Sequence, residues 1–362
     1  MQNILVTGGA GFIGANFVQY LLSVEPLVRI INLDALTYAG SLENLQNLSD
    51  PTRHTFVHGN ILDQKLLEKL FQQNKIDTVV HFAAESHVDR SIHGPMEFMQ
   101  TNVIGTANLL ESARNAWITQ KLLPLNSCRF HHVSTDEVFG SLKPGEAAFT
   151  EKTPYSPNSP YAASKASSDH LVRAYAATYQ LPITITNCSN NYGPLQFPEK
   201  LIPLTILNAC VGKSLPVYGD GMQIRDWLYV EDHCEAIWRV LKDGVPGETY
   251  NIGGDNQPTN LEIIKIICEI LDRLLPTSEH RPHEKLIQYV TDRPGHDRRY
   301  AMNIDKIMRE LRWQPRLTLQ EGLEKTVKWY LAQSGRNKDI LARPEFESWL
   351  QKNYTKRGGE NS

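Results

Sequence analysis

A glycine-rich turn at the start of the chain most constrains what it can fold into. The apolar run Ile4-Leu5-Val6-Thr7 leads into Gly8-Gly9-Ala10-Gly11-Phe12-Ile13-Gly14, and a helical pattern of apolar residues follows at once. Glycine suits such a turn because the backbone bends sharply and lets a phosphate approach the amides of the helix N-terminus. The pattern predicts a strand, a tight turn and a helix that hold a nucleotide cofactor beside Gly8, Gly11, Phe12, Ile13 and Gly14.

The first half of the chain continues this alternation of short apolar runs and helical patterns. Further strands are expected at Ile30–Leu33, His54–Val57, Thr78–Phe82, Phe130–Val133 and Ile183–Thr186. Such alternation favours a parallel sheet with helices on both faces. The expected fold class is therefore α/β, a Rossmann-type doubly wound parallel sheet.

Prolines and glycines recur beyond Asn191, and the earlier rhythm loosens there. We expect a cofactor-binding domain at 1–189, to which part of 227–256 returns, and a smaller C-terminal substrate-binding lobe at about 190–330. The helical pattern from Leu261 to Leu275 belongs to that lobe. The polar segment 335–362 is expected to be a loosely attached tail.

Composition excludes several function classes. The net charge of 362 residues is −3 with no basic block, which argues against a nucleic-acid binder. Five cysteines without a Cys-x-x-Cys spacing indicate reduced, mostly buried thiols in a cytoplasmic protein and no zinc site. No metal is expected, because no histidine spacing matches the cysteines. No apolar run approaches the ~20 residues that span a bilayer, so no membrane anchor is expected either.

Asp34 indicates which dinucleotide the glycine turn accepts. It ends the second predicted strand, twenty residues past Gly14. A carboxylate there accepts hydrogen bonds from ribose hydroxyls and repels a 2′-phosphate, so the sequence favours NAD over NADP. The alternative is that Asp34 only caps a loop. Ala83 and Ala84, after another strand, either let the cofactor pass closely or simply allow tight helix–sheet packing.

Tyr161 and Lys165 are the candidate hydride-transfer pair. They are four apart, which places them on one face of a helix. A neighbouring ammonium is expected to stabilise the Tyr161 phenolate, so that the phenolate takes a hydroxyl proton as hydride leaves the same carbon. The alternative is that both residues lie on an exposed helix surface, where the same spacing often occurs by chance.

Thr135, Asp136 and Glu137 follow directly after the strand that ends near Val133. Adjacent side chains at a strand end diverge, so the two carboxyl groups reach neighbouring carbons of one substrate. If their surroundings separate their pKa values, one donates and the other accepts a proton, which is the chemistry of eliminating water. The alternatives are a helix cap or a solvated turn.

Together these motifs resemble the extended short-chain dehydrogenase/reductases, and Thr135-Asp136-Glu137 resembles the nucleotide-sugar 4,6-dehydratases among them. The likeness runs from the first residues to about Tyr300. It also rests on Ala83-Ala84-Glu85-Ser86-His87-Val88-Asp89 and Asn190-Asn191-Tyr192-Gly193-Pro194.

The resemblance implies a closed redox cycle on NAD with dTDP-glucose as substrate, in a homodimer joined through the helices near Asn102–Arg114 and Tyr161–Tyr179. Tyr161 with Lys165 serves C4 oxidation, Glu137 removes the C5 proton, Asp136 protonates the leaving C6 hydroxyl, and Thr135 binds the C4 oxygen. Further cofactor residues implied are Asn60, Ile61, Ser86, Thr101 and Asn191. The implied substrate residues are Ser86, Thr135, Asn190, Lys200, Leu201, Pro216, Tyr218, Arg225, Asn260, Arg293 and His296.

Two positions depart from the family pattern. Asn60 replaces the usual Asp beside the adenine, and because an amide both accepts and donates, altered contacts are expected rather than lost binding. Phe139 replaces a Tyr, which leaves packing intact. Asn102, polar on an otherwise packing-competent helix, is interpreted as structural.

Several alternatives stay open. A UDP-glucose 4-epimerase needs the Tyr161/Lys165 pair but not the carboxyl groups. A UDP- or GDP-sugar 4,6-dehydratase differs only in base recognition, which the residues do not decide. An idle NAD-sensing scaffold protein is expected to have lost one of Tyr161, Lys165, Asp136 or Glu137, and all four are present.

Overall fold

The computed structural model describes residues 1–333 together with Gly335 and Ser348. The predicted tail at 335–362 thus lies almost wholly outside the described residues. Among the helices that are described, none is both long and apolar enough to cross a membrane.

A seven-stranded parallel sheet forms the centre of the molecule. Its strand order is β10-β6-β5-β4-β1-β2-β3. The order reverses between β1 and β4, and in open α/β sheets ligands bind outside the carboxyl ends of the strands at such a point. The strands are β1 (Asn3–Thr7), β2 (Arg29–Asp34), β3 (His54–His58), β4 (Thr78–His81), β5 (Arg129–Thr135), β6 (Ile183–Cys188) and β10 (Thr249–Ile252). The predicted Rossmann-type doubly wound sheet is confirmed.

Two short parallel strand pairs lie outside this sheet. They are β7 (Asn190–Tyr192) with β9 (Trp227–Tyr229), and β8 (Leu215–Tyr218) with β11 (Ile287–Val290).

Eleven α-helices occur in the described part of the chain. They are α1 (Phe12–Val24), α2 (Gln64–Asn74), α3 (Val88–His93), α4 (Pro95–Phe98), α5 (Thr106–Arg114), α6 (Pro160–Tyr179), α7 (Leu201–Cys210), α8 (Val230–Asp243), α9 (Asn260–Leu274), α10 (Asp305–Leu311) and α11 (Leu319–Ala332). Two π-helical segments, Met99–Gly105 and Asn115–Thr119, flank α5. Short 3₁₀ turns are Leu42–Leu45, Pro51–Arg53, Leu125–Ser127, Asp136–Phe139 and His283–Leu286.

Both faces of the main sheet are buried, which explains its continuously apolar strands. Successive side chains of a strand point to opposite faces. Ile4 and Val6 accordingly belong to one apolar cluster with residues of α1 and α8, whereas Leu5 belongs to another with residues of α2, α5 and α6. Each fully buried aliphatic side chain of this kind contributes roughly 1.5–3 kcal/mol, so this core fixes the sheet and the edge where its strands end.

A third apolar cluster joins α7, α9, α11 and the two strand pairs. The chain returns from this region to the main sheet, because β10 pairs with β6 and α8 packs against α1. The division into a larger domain and a smaller lobe stays a prediction.

Candidate active site

One cavity of about 450 Å³ lies at the carboxyl edge of the sheet, within the roughly 300–1,000 Å³ usual for small-molecule sites. Every site residue predicted from the sequence lines it. At the cofactor end these are Gly8, Gly11, Phe12, Ile13, Gly14, Asp34, Asn60, Ile61, Ala83, Ala84, Ser86, Thr101 and Asn191. In the middle and at the far end they are Thr135, Asp136, Glu137, Tyr161, Lys165, Asn190, Lys200, Leu201, Pro216, Tyr218, Arg225, Asn260, Arg293 and His296.

The glycine turn connects β1 to α1 and is shaped for a close ligand. Gly8 has φ +74°, and a Cβ there would lie 2.6 Å from the Ala83 nitrogen. A Cβ on Gly14 would collide with the Gly8 carbonyl. Gly11 precedes α1 without a side-chain cap, so the first amides of α1 are left for an anion. These features fit a dinucleotide pyrophosphate.

Asp34 lies where β2 ends, and its carboxylate is already fixed by the backbone. Its Oδ2 accepts from the Ala10 amide at 2.8 Å and its Oδ1 accepts from the Leu36 amide, also at 2.8 Å. Each oxygen keeps a further lone pair, so the carboxylate is held in place with acceptors free for ribose hydroxyls. Asp34 does cap this loop, and the two interpretations of the sequence are compatible.

Asn60 combines a local turn with a free amide group. Its Oδ1 accepts from the Leu62 amide at 2.9 Å, while the side chain is exposed at the cavity. The NH₂ group therefore faces the ligand as a donor, which an aspartate at this position does not offer. At the second departure, the Phe139 ring stacks on Phe149 with centroids 5.0 Å apart.

Helix α6 positions Tyr161 and Lys165 in its first two turns. Ser159 caps the helix by accepting from the Ala162 amide at 3.1 Å, and Pro160 occupies the first helical position, where its missing N–H is harmless. Tyr161 is 8% and Lys165 5% exposed. Lys165 Nζ donates to the carbonyl of Val133 on β5 at 2.9 Å.

The pKa of Tyr161 differs from the expectation. Burial raises it well above its ordinary value, the negative charge of Glu137 raises it further, and a hydrogen bond with Thr135 opposes both. The ammonium of Lys165 is directed to Val133 rather than to the phenol. The protein alone therefore holds Tyr161 as a neutral phenol, and a phenolate requires additional positive charge in the cavity.

Thr135 ends β5 and caps the 3₁₀ turn that carries the two carboxyl groups. Its Oγ1 accepts from the Glu137 amide at 3.3 Å and donates to Asp136 Oδ1 at 3.2 Å. Asp136 is 1% exposed, whereas Glu137 is half-buried. Both carboxyl groups are thus part of the cavity wall, and the solvated-turn interpretation is wrong for Asp136.

Their surroundings separate the two carboxyl groups. Burial raises the pKa of Asp136 well above its ordinary value, and the charges of Glu137 and Asp226 reinforce the shift. Burial also raises the pKa of Glu137, but the cations Arg293, Arg225 and Lys200 oppose it. Asp136 is therefore suited to donate a proton and Glu137 to accept one.

The far end of the cavity concentrates positive charge. Arg225 stacks on the ring of Tyr300 at 4.3 Å and donates to the Asp297 carbonyl at 2.9 Å. Arg293 lies 3.6 Å from Asp89, and Lys200 Nζ donates to the Ser86 carbonyl at 3.3 Å. Three cations beside a sugar-sized space fit a nucleoside diphosphate.

Sequence reasoning missed several acidic and aromatic residues that line this cavity. Asp89 accepts from the Tyr218 hydroxyl at 3.2 Å, and Glu199 pairs with Arg90 at 3.1 Å. Burial, with Glu97 and Glu199, raises the pKa of Glu85 to about 7 against the charge of Arg90. Asp89 and Glu85 belong to the run after β4 quoted for the resemblance, so their place in that motif was the available signal.

Comparison with known proteins defines the class. The sequence model of the family described as GDP-mannose 4,6 dehydratase matches residues 5–326, and the chain belongs to this family. The dTDP-glucose 4,6-dehydratase of Shigella flexneri is 52% identical over 364 residues, which cover 98% of this chain and 100% of that protein. The enzyme of the same description from Xanthomonas campestris pv. campestris (strain B100) is 57% identical over 335 residues, or 91% of this chain and 93% of that protein.

A solved structure agrees. The crystal structure of dTDP-glucose 4,6-dehydratase from Bacillus anthracis str. Ames in complex with NAD superposes with a TM-score of 0.81 at 47% identity, covering 94% of this chain and all of that one. The resemblance inferred from the motifs is confirmed.

Proposed function

We propose that the protein is a dTDP-glucose 4,6-dehydratase, an NAD-dependent hydro-lyase that converts dTDP-glucose to dTDP-4-keto-6-deoxyglucose and water. The observation that carries this function is the meeting of Thr135-Asp136-Glu137 and the Tyr161/Lys165 pair in one cavity. A 4-epimerase needs only the Tyr161/Lys165 pair. Relatives at 52% and 57% identity that carry this name support the same function.

NAD fits the cofactor end through the glycine turn, the open N-terminus of α1 and the fixed carboxylate of Asp34. When bound in its oxidised form, NAD supplies a cationic ring that accepts a hydride from the sugar and later returns it.

The residues of the chain move the protons of the cycle. The positive charge that oxidised NAD would bring favours the phenolate of Tyr161, which takes the C4 hydroxyl proton. The resulting ketone makes the C5 proton acidic. Glu137 removes that proton, Asp136 gives its own to the departing C6 hydroxyl, and Glu137 returns a proton to C5 as C6 is reduced. Before the next turnover Tyr161 releases the proton that it took and Asp136 regains one, so the proton count closes. In the substrate complex the hydroxyl of Thr135 turns its single proton from Asp136 Oδ1 to the C4 oxygen. Burial of Asp136 and Tyr161 keeps bulk water from these groups.

The nucleotide is bound by charge and by the strand pairs. Lys200, Arg225 and Arg293 supply charge-assisted hydrogen bonds to the diphosphate. Tyr218, which lies across from His296 with ring centroids 6.1 Å apart, offers an aromatic contact for the base. Asn190 faces the sugar and Asn260 the nucleoside.

A labelling experiment tests the proposal. Purified protein is incubated with dTDP-, UDP- and GDP-glucose carrying deuterium at C4, and the products are analysed by mass spectrometry. Deuterium at C6 of a 4-keto-6-deoxy product, formed fastest from the dTDP sugar, is the expected result. Epimerised sugar without water loss identifies an epimerase, and preference for another base identifies a different sugar dehydratase.

The functional form is proposed to be a cytoplasmic homodimer. Large apolar side chains are exposed on the helices implied by the resemblance: Ile104 is 46% and Tyr179 42% exposed. Met96, 67% exposed, lies on the short helix α4 just before the first of them. Burying these side chains against a second copy stabilises a helical interface, because each Å² of apolar surface removed from water contributes roughly 25 cal/mol. Sedimentation at micromolar protein tests this assembly, and a monomer there contradicts it.

A further inference from the structure

Helix α6 carries a third buried polar side chain on the face of Tyr161 and Lys165. Asp169 follows Lys165 by four residues, a spacing at which Cβ atoms lie about 5–6 Å apart. Its side chain is fully buried, with 0% exposure. No step of the proposed reaction uses this carboxylate, and burying an ionised carboxyl group is unfavourable unless a cation balances it.

The hydrogen-bond partners of Asp169 are neutral. Its Oδ2 accepts from the Ser134 hydroxyl at 2.9 Å and from the Tyr155 hydroxyl at 2.7 Å. His132 Nε2 lies 3.2 Å from Oδ1, but burial and the charge of Lys165 lower the pKa of His132 to about 4, so the imidazole is uncharged at neutral pH. These contacts fix the carboxylate without neutralising it.

Lys165 is likewise a buried charge whose hydrogen-bond partner is neutral. Its ammonium is buried, and its hydrogen bond goes to the neutral carbonyl of Val133. We propose that Asp169 is the counter-ion of Lys165, a positioning residue that keeps the buried ammonium charged and in place at the wall of the cavity. The inference rests on the proposed function for the importance of that charge.

The other titratable groups around Lys165 do not supply the charge. His81 on β4 and His132 on β5 are neutral because burial lowers their pKa values, and burial raises the pKa of the Cys188 thiol on β6 to about 12. Arg173, further along α6, donates to the Tyr155 hydroxyl at 2.9 Å.

The protonation equilibria agree with this pairing. Burial lowers the pKa of Lys165, and Asp169 is the largest influence that raises it. Burial alone would raise the pKa of Asp169, but the neighbouring imidazole of His132 and the charge of Lys165 outweigh it, so that pKa is lowered. With His132 neutral, Lys165 is the cation that remains.

Titration of Lys165 itself tests the proposal. The ¹³Cε resonance of Lys165, identified by its loss in Lys165→Met, is followed against pH in the full-length protein with NAD present. In Asp169→Asn we expect its midpoint to fall by about one to three pH units, the usual effect of an opposite charge at this range. An unchanged midpoint overturns the proposal. Tyr155→Phe is the matched control, because it removes a hydrogen bond from Asp169 but keeps the carboxylate.

A second measurement keeps the test open if Asp169→Asn does not fold. Coupling between two groups is reciprocal, so Lys165→Met should raise the pKa of Asp169, read from its ¹³Cγ resonance. No rise there equally rejects the pair. Neither titration depends on turnover, so a failed labelling experiment would reject the proposed function and leave this inference to be judged separately.

Discussion

The hydroxyl of Thr135 donates a hydrogen bond to only one oxygen of the Asp136 carboxyl group, Oδ1, at 3.2 Å. Within the described part of the chain, the other oxygen, Oδ2, is buried without a hydrogen-bond partner. A buried polar atom without a partner is costly, and a protonated carboxyl group here needs an acceptor. The departing hydroxyl of a bound sugar supplies that acceptor. The unpartnered Oδ2 of Asp136 is therefore already placed to donate its proton to substrate.

Replacing both carboxyl groups should separate oxidation from elimination. In Asp136→Asn with Glu137→Gln, Tyr161 and Lys165 are untouched, so the C4 alcohol is still oxidised. Water loss should fall by at least about 10²-fold, since positioned acid–base groups contribute roughly 10²–10⁴. Mass spectrometry should show the 4-keto-glucose nucleotide accumulating, and absorbance should show the reduced cofactor accumulating with it. Dehydration at the wild-type rate would reject the two assignments.

The pH profile should report the environment of Glu137. As the base, Glu137 must be ionised, so kcat is lost as pH falls through its pKa. That pKa is raised by burial and held down first by Arg293. Arg293→Gln should therefore move the acidic limb of kcat, measured at saturating substrate, to higher pH by about one unit.

The control for this shift is Arg298→Gln. It removes the same charge from an exposed pair, with Arg298 Nη1 2.9 Å from Asp220 Oδ1. Its acidic limb should stay in place. If the acidic limb of kcat moved equally in both variants, the cause would be the change in net charge, which would contradict a local effect of Arg293.

Cofactor choice should depend on Asp34. Asp34→Ala removes an acceptor for the ribose hydroxyls and the repulsion of a 2′-phosphate, so affinity for NAD should fall about tenfold or more while that for NADP rises. Fluorescence titration of the purified protein with each dinucleotide measures both. Asp50→Ala, which deletes a surface cap that accepts from the Thr52 amide at 3.0 Å, should alter neither. Unchanged selectivity in Asp34→Ala would remove this residue from the cofactor site.

Asn102 should matter for stability. It is 1% exposed, and its amide bonds to the backbone N–H and C=O of Glu85 at 2.9 Å each and to Ser164 at 2.8 Å. Asn102→Ala leaves these groups buried without partners and should lower the free energy of unfolding by about 2–4 kcal/mol.

Thermal unfolding of Asn102→Ala beside Asn108→Ala measures this cost. Asn108 donates to the carbonyls of Ile61 and Leu62 at the longer distance of 3.3 Å, so its loss should cost about 1 kcal/mol or less. Similar melting temperatures for the two variants would contradict the structural role assigned to Asn102.

The sequence predicted the fold where apolar patterns and turns act locally. All five further strands were placed within about two residues of their observed ends, since runs of buried side chains and the turns that follow them are short-range signals. The helix expected at Leu261–Leu275 is observed at Asn260–Leu274. The cavity residues were likewise predictable wherever a motif ties them to a strand end.

Tertiary burial is what the sequence could not provide. Tyr218 and Asp89 are 129 residues apart, and no local pattern joins them. The raised pKa of Tyr161 is another case, because desolvation depends on how elements close around it, whereas the spacing to Lys165 suggested the opposite shift. Asp169 lies in no local motif, and its burial depends on how β5, β6 and α6 pack together.

The position of β10 beside β6 has a consequence for how the protein can be divided. The chain leaves the main sheet after β6, contributes strands to the outer pairs, and comes back to complete the sheet. A fragment that stops at residue 189 would leave the N–H and C=O groups of β6 unpaired at the edge of the sheet, which invites self-association. Residues 1–189 are thus not expected to fold as a detachable module, and shortened versions that end there should aggregate because they lack β10.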